Sequence, residues 1–148
     1  MDFDSNISNN AADFSKSLMA LCSHVDGSIE KVIRKSCIDL YRRIVERTPV
    51  DTGRAKASWS ISTVHADDVQ HDPDGFSYNE IATIVNNNVS DFSVSVHDNQ
   101  VVIYNNLEYI SELENGTSDQ APTGMVAISL SEFTEHFNNA LQDIEGVL

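Results

Sequence analysis

Basic residues stop early in this chain. All nine lysines and arginines lie within residues 1–56, which also hold eight aspartates and glutamates; residues 57–148 hold fifteen acids and no lysine or arginine. A surface of that sign repels phosphate, which argues against sequence-read binding of nucleic acid. Aromatic interleaving is poor as well, since only Tyr41 sits among the clustered cations. No apolar run approaches the roughly 18 residues of a membrane span, so no membrane partner is expected. The opening MDFDSNISNN lacks the basic and apolar regions of a signal peptide, and the expectation is a chain made and kept in a cytoplasm. Cysteine is nearly absent. Cys22 and Cys37, placed on one helix, stand roughly 22 Å apart, whereas a disulfide needs Cα atoms within about 7 Å; two buried thiols are predicted. Gly-x-Ser-x-Gly, His-Glu-x-x-His and any Gly-rich phosphate loop are missing. Glu108, Glu112 and Glu114 read as solvated acids of a surface helix rather than an acid/base pair. No enzymatic activity and no cofactor are expected.

What is present is enough for one domain: 148 residues, 41% of them hydrophobic. Residues 1–10 read as a disordered arm and 11–148 as a single domain. Apolar positions from Phe14 through Leu18, Leu21, Ile33, Cys37 and Leu40 to Ile44 recur at steps of three and four, which predicts one helix from about residue 11 to 47. Pro49 ends it at Thr48. In the corner that follows, Asp51 can bond backbone two residues on and Gly53 permits positive φ. Alternation from Ala55 through Ala57, Trp59 and Ile61 predicts a strand. Ser77 and Glu80 have capping-box spacing, opening a short helix that runs to Asn86. Phe92–Val96 and Val101–Tyr104 predict a hairpin turning at Asp98-Asn99. Leu107, Ile110 and Leu113 predict a helical turn stopped by Gly116. Val126, Leu130, Phe133, Phe137, Leu141 and Ile144 predict a C-terminal helix. The fold class is α+β, a small antiparallel sheet flanked by a long N-terminal and a C-terminal helix.

One stretch could hold an ion. His65, Asp67, Asp68, His71, Asp72 and Asp74 place six donors within ten residues, but Pro73 and Ser77 break the calcium-loop pattern. A solvated loop is the expected reading, with a metal-binding or enzymatic use of His65–Asp74 as the alternative.

Two stretches carry a resemblance. RTPVDTGRAKASW (residues 47–59) and IYNNLEYISELENGTSDQAPTGMV (residues 103–126) together resemble the tail-completion (minor tail protein Z-like) family of tailed phages. The first matches through Pro49, Asp51, Thr52, Gly53, Arg54 and Trp59. The second matches through Tyr104, Asn105, Asn106, Tyr109, Leu113, Glu114, Gly116, Thr117, Ser118, Ala121, Pro122, Gly124 and Met125. Glu108 stands where the family often has proline, and Ala55-Lys56 where a larger apolar residue is common. The resemblance implies a structural virion protein, without catalysis, forming a ring of six at the head–tail junction. Its implied partners are other copies of itself, a head-completion or connector protein, and a tail-terminator or tail-tube protein. DNA passes through the ring without sequence-specific binding. The implied location is the virion neck, after a period in the host cytoplasm; a tail-terminator or other connector ring is the alternative. Phe14, Leu18 and Leu21 are expected to contact a neighbouring subunit, and Arg34, Arg42 and Arg43 to meet an acidic surface there. Arg54 is expected to be available for a carboxylate.

Overall fold

The computed structural model describes residues 28–64 and 75–145, with side chains described between 30 and 138. In chain order the elements are α1 (Ser28–Arg47), α2 (Arg54–Ala57), β1 (Ser60–Ser62), α3 (Tyr78–Asp91), β2 (Val102–Tyr104), α4 (Ile110–Glu114) and α5 (Val126–Glu145). β1 and β2 pair antiparallel with Ile61 opposite Ile103. This is the α+β arrangement of a small sheet between a long N-terminal and a C-terminal helix. The arm 1–10, the helix expected over 11–27, Phe14, Leu18, Leu21, Cys22 and the His65–Asp74 loop lie outside the described residues.

Three local expectations are corrected. Arg54–Ala57 is a helical turn, not the start of a strand. Gly53, at φ 82°, sends the chain straight into it, and the small residues Ala55 and Ala57 are both buried, so their alternation is not that of a half-exposed strand. Only Ser60–Ser62 is extended and paired. Residues 92–96 form no ladder; the chain turns between Ser95 and Asp98, where Asp98 N donates to Ser95 O at 3.0 Å. β2 therefore pairs across the molecule instead of with its predecessor. Finally, α3 runs five residues beyond Asn86, to Asp91. The Ser77–Glu80 capping box opens it as expected, Ser77 N donating to the Glu80 carboxylate at 2.7 Å and Glu80 N to Ser77 Oγ at 3.3 Å.

The core lies where α1, α5 and the strand pair meet. α1 buries Ile33, Cys37, Ile38, Leu40, Tyr41, Ile44 and Val45; Trp59, Ile61, Phe92, Met125, Leu130, Phe133 and Phe137 complete it. Burial pushes the Cys37 thiol up to about 12, so it stays a neutral apolar filler. The aromatic core is polar-satisfied throughout. Trp59 Nε1 donates to Thr48 Oγ1 at 2.8 Å, and that hydroxyl donates to Ile44 O at 2.7 Å. Tyr41 OH donates to Trp59 O at 3.2 Å and accepts from Asn88 Nδ2 at 3.0 Å. A buried donor or acceptor left unpaired costs about 1–3 kcal/mol, so this set holds the end of α1, β1 and α3 in one arrangement.

α5 lies along α1 and is pinned to it by charge. Arg47 donates to both oxygens of Glu132 at 2.7 and 2.8 Å and to Ser129 Oγ at 2.9 Å; Arg43 reaches Glu132 at 3.1 Å. The hydrogen bond from Arg47 holds the Glu132 carboxyl below its ordinary 4.5. A depressed carboxylate stabilises the fold above its unfolded value and loses that contribution as pH falls through the folded one. Glu80, held down by the backbone and hydroxyl of Ser77, acts in the same direction. Glu132→Gln should therefore flatten the acid limb of a melting-temperature profile below pH 4.5, with a modest effect at neutrality because the pair is partly solvated. An acid limb of unchanged slope would show that the pair contributes nothing.

Candidate functional site

The corner after α1 is built from its own residues. Pro49 cannot continue a helix, Thr48 seals the last turn through Ile44 O, and Gly53 takes the left-handed conformation with φ 82°. The short-range bond that tightens the turn is from Arg54 N to Thr52 Oγ1 at 3.3 Å, so Thr52 takes the part expected of Asp51, which is exposed. Phe76 N donates to Thr52 O at 2.7 Å, laying the following segment against the corner. A Cβ on Gly53 would lie 2.7 Å from Phe76 O and 2.9 Å from Ile81 Cδ1. Positive φ alone costs about 1 kcal/mol for alanine, and displacing a backbone carbonyl adds to it. Gly53→Ala is expected to lose about 2 kcal/mol in denaturant unfolding; unchanged stability would mean the corner re-forms freely.

The second stretch is a compact cap. α4 ends in a glycine stop: Gly116 N donates to Leu113 O at 3.1 Å and Thr117 N to Glu112 O at 3.4 Å, with Gly116 at φ 86°. Thr117 Oγ1 adds a bond to Glu112 O at 2.9 Å. The chain then turns back over Ser118–Gly124, Ala121 N donating to Ser118 O and Gly124 N to Ala121 O. This return brings Glu114 to the start of α5, where it does not behave as a solvated acid. Glu114 is 7% exposed. Its Oε2 accepts from Met125 N and Val126 N, both at 2.8 Å, and its Oε1 from Ala127 N at 3.0 Å. The carboxylate caps the first turn of α5 from a distance, satisfying its orphan donors and its dipole. Gly124, φ 77°, passes so close that a Cβ would meet Glu114 O and stand 2.9 Å from its carboxyl carbon.

The two stretches meet. The Gln120 amide pairs with the backbone of Val50, accepting from Val50 N and donating to Val50 O, each at 2.9 Å. Asn105 Nδ2 donates to Ala55 O at 3.0 Å. Between them lies a cleft of about 450 Å³, with the corner 49–55 as one wall and Tyr109, Leu113, Ser118 and Gln120 as the other. These walls hold no histidine, cysteine, lysine or glutamate. One carboxylate (Asp51) and one guanidinium (Arg54) suit recognition of a charged group better than proton transfer. Tyr109 is 37% exposed at its rim, and Pro122 is exposed beyond Gln120. Trp59 and Tyr104 lie behind, in the core and on β2.

The arginines expected at a subunit contact divide. Arg34 donates to Phe92 O at 3.1 Å and Val89 O at 2.8 Å, closing the end of α3, and Arg43 is paired with Glu132. Both are engaged within the chain, because α1 presents that face to α3 and α5. Arg42 is exposed. Among the described residues no group of three or more His, Cys, Asp or Glu is placed to hold a metal ion, and no helix is long and apolar enough to cross a membrane. Comparison with protein-family models, with curated proteins and with solved structures finds no match.

Proposed function

We propose that this chain is a structural virion protein of a tailed phage, a tail-completion or neck component that assembles as a ring at the head–tail junction. The observation that carries the reading is spatial. The two stretches that resemble that family, about 50 residues apart in sequence, pack as one surface unit through Gln120, Asn105 and the shared cleft. Charge agrees with it. Fifteen acids and no lysine or arginine after residue 56 suit a wall past which DNA must slide without adhering.

The test is mass spectrometry of purified virions of the encoding phage, joined to complementation of its knockout. The chain should be found in virions at a fixed copy number, and the knockout should leave unjoined heads and tails. Arg42→Glu should weaken complementation more at low salt than at high salt, where screening removes the charge contribution, since Arg42 is the exposed cation of the three expected at a contact. Virions that lack the chain, or a knockout of full infectivity, would overturn the reading.

A further inference from the structure

Five of the eight lysines and arginines among the described residues hold a partner within the chain. Arg34 holds backbone carbonyls, Lys35 lies 4.0 Å from Asp39, Arg43 and Arg47 hold Glu132, and Lys56 Nζ donates to Glu46 O at 3.1 Å. Arg54 has none. Its Nε is buried without any hydrogen-bond partner, and Arg54 is one of the residues that line the 450 Å³ cleft between the corner and the Tyr109–Gln120 wall. A buried guanidinium N–H without an acceptor is costly, and the group is shaped to take a carboxylate through two parallel bonds.

We propose that the Arg54 cleft is the receptor half of the contact between copies of this chain, and that it takes a carboxylate side chain from the neighbouring copy. The inference rests on the ring reading and adds its chemistry. Charge complementarity selects the occupant: beyond residue 56 every side chain of fixed charge at neutral pH is acidic, so any surface of a second copy drawn from that part offers carboxylates. The hydroxyl of Ser118, the phenol of Tyr109 and the exposed Thr52 surround the cleft with further hydrogen-bonding groups. The Arg54 backbone is locked, its carbonyl accepting from Ser58 N at 3.1 Å and Ser58 Oγ at 2.7 Å, so the guanidinium starts from a fixed root. A rigid root lowers the ordering cost of docking.

The experiment is sedimentation velocity of the full chain from 50 to 500 mM NaCl, with Arg54→Met, Arg54→Lys and Arg54→Glu, and a thermal melt of each as monomer. Wild type should self-associate and dissociate with salt. Arg54→Met should weaken association about 30-fold or more, Arg54→Lys should restore it only in part, and Arg54→Glu should give monomer throughout. Melting temperatures of the monomers should stay level or rise, because no bond within the chain is lost. A ring that forms equally well with Arg54→Glu overturns this contact and leaves the ring reading standing; a wild type that stays monomeric overturns both. Monomer melts lowered by Arg54→Met would show that the chain itself supplies the acceptor, and would also overturn the proposal.

Discussion

Glu114→Ala is expected to destabilise the fold by about 4 kcal/mol, against well under 1 kcal/mol for an exposed glutamate such as Glu112. The carboxylate accepts three backbone N–H groups at the first turn of α5, at 2.8, 2.8 and 3.0 Å. Removing it strands donors in a buried place, each worth about 1–3 kcal/mol, and hydrogen bonds to a charged acceptor lie at the upper end. Glu114→Gln keeps acceptor oxygen at one position and loses the charge, so about half the loss should remain. Gly124→Ala should reach the same result from the other side, since its methyl group would displace Glu114. Because both substitutions break one contact, the double variant should be less destabilised than the sum. Denaturant unfolding of the four proteins measures this, and additive losses would mean that the cap and the glycine are independent.

Trp59→Ala should cost about 4 kcal/mol, in the usual range for emptying a buried indole site. Trp59 is 5% exposed, and its ring nitrogen is the donor to Thr48 Oγ1 at 2.8 Å. Trp59→Phe separates the two contributions: it retains much of the packing and abolishes that hydrogen bond, for about 2 kcal/mol. Thr48→Val would remove the acceptor, and in a Trp59→Phe background should add little. Chemical denaturation of the set decides it. Equal stability for wild type and Trp59→Phe would show that packing alone holds the indole.

The long elements were legible because their signals are repeated. The three-and-four spacing of α1 and α5 runs over many turns, and the Ser77–Glu80 pair is a local signature. Short elements carry no such redundancy. Ala55 and Ala57 alternate with polar residues as a strand would, yet Gly53 had already turned the chain into a helical start. Phe92, Val94 and Val96 alternate too, but among the described residues no strand pairs with them. α3 was expected to end at Asn86, whereas Asn88 is retained in the helix by its bonds to Tyr41 OH and Trp59 O at 3.0 and 3.2 Å. Glu114 was missed, although a clue was available. Met125 stands just before α5, where Ser, Thr, Asp or Asn would cap it, so an acceptor from elsewhere was required. Val50 and Gln120 meet across a sequence separation of 70, and no local pattern announces it.

Among the described helices α3 is the one with no buried residue. Its start depends on the capping box, its end on Arg34 reaching the Val89 and Phe92 carbonyls, and its middle on Asn88 and the half-buried Val85 and Val89. Such a segment can open while α1 and α5 stay closed. Its amide protons should exchange with deuterium at a lower opening free energy than those of α1, as one cooperative group. The molecule would then contain two tiers of motion: a slow two-helix body, and a faster lateral helix that detaches without dissolving the corner.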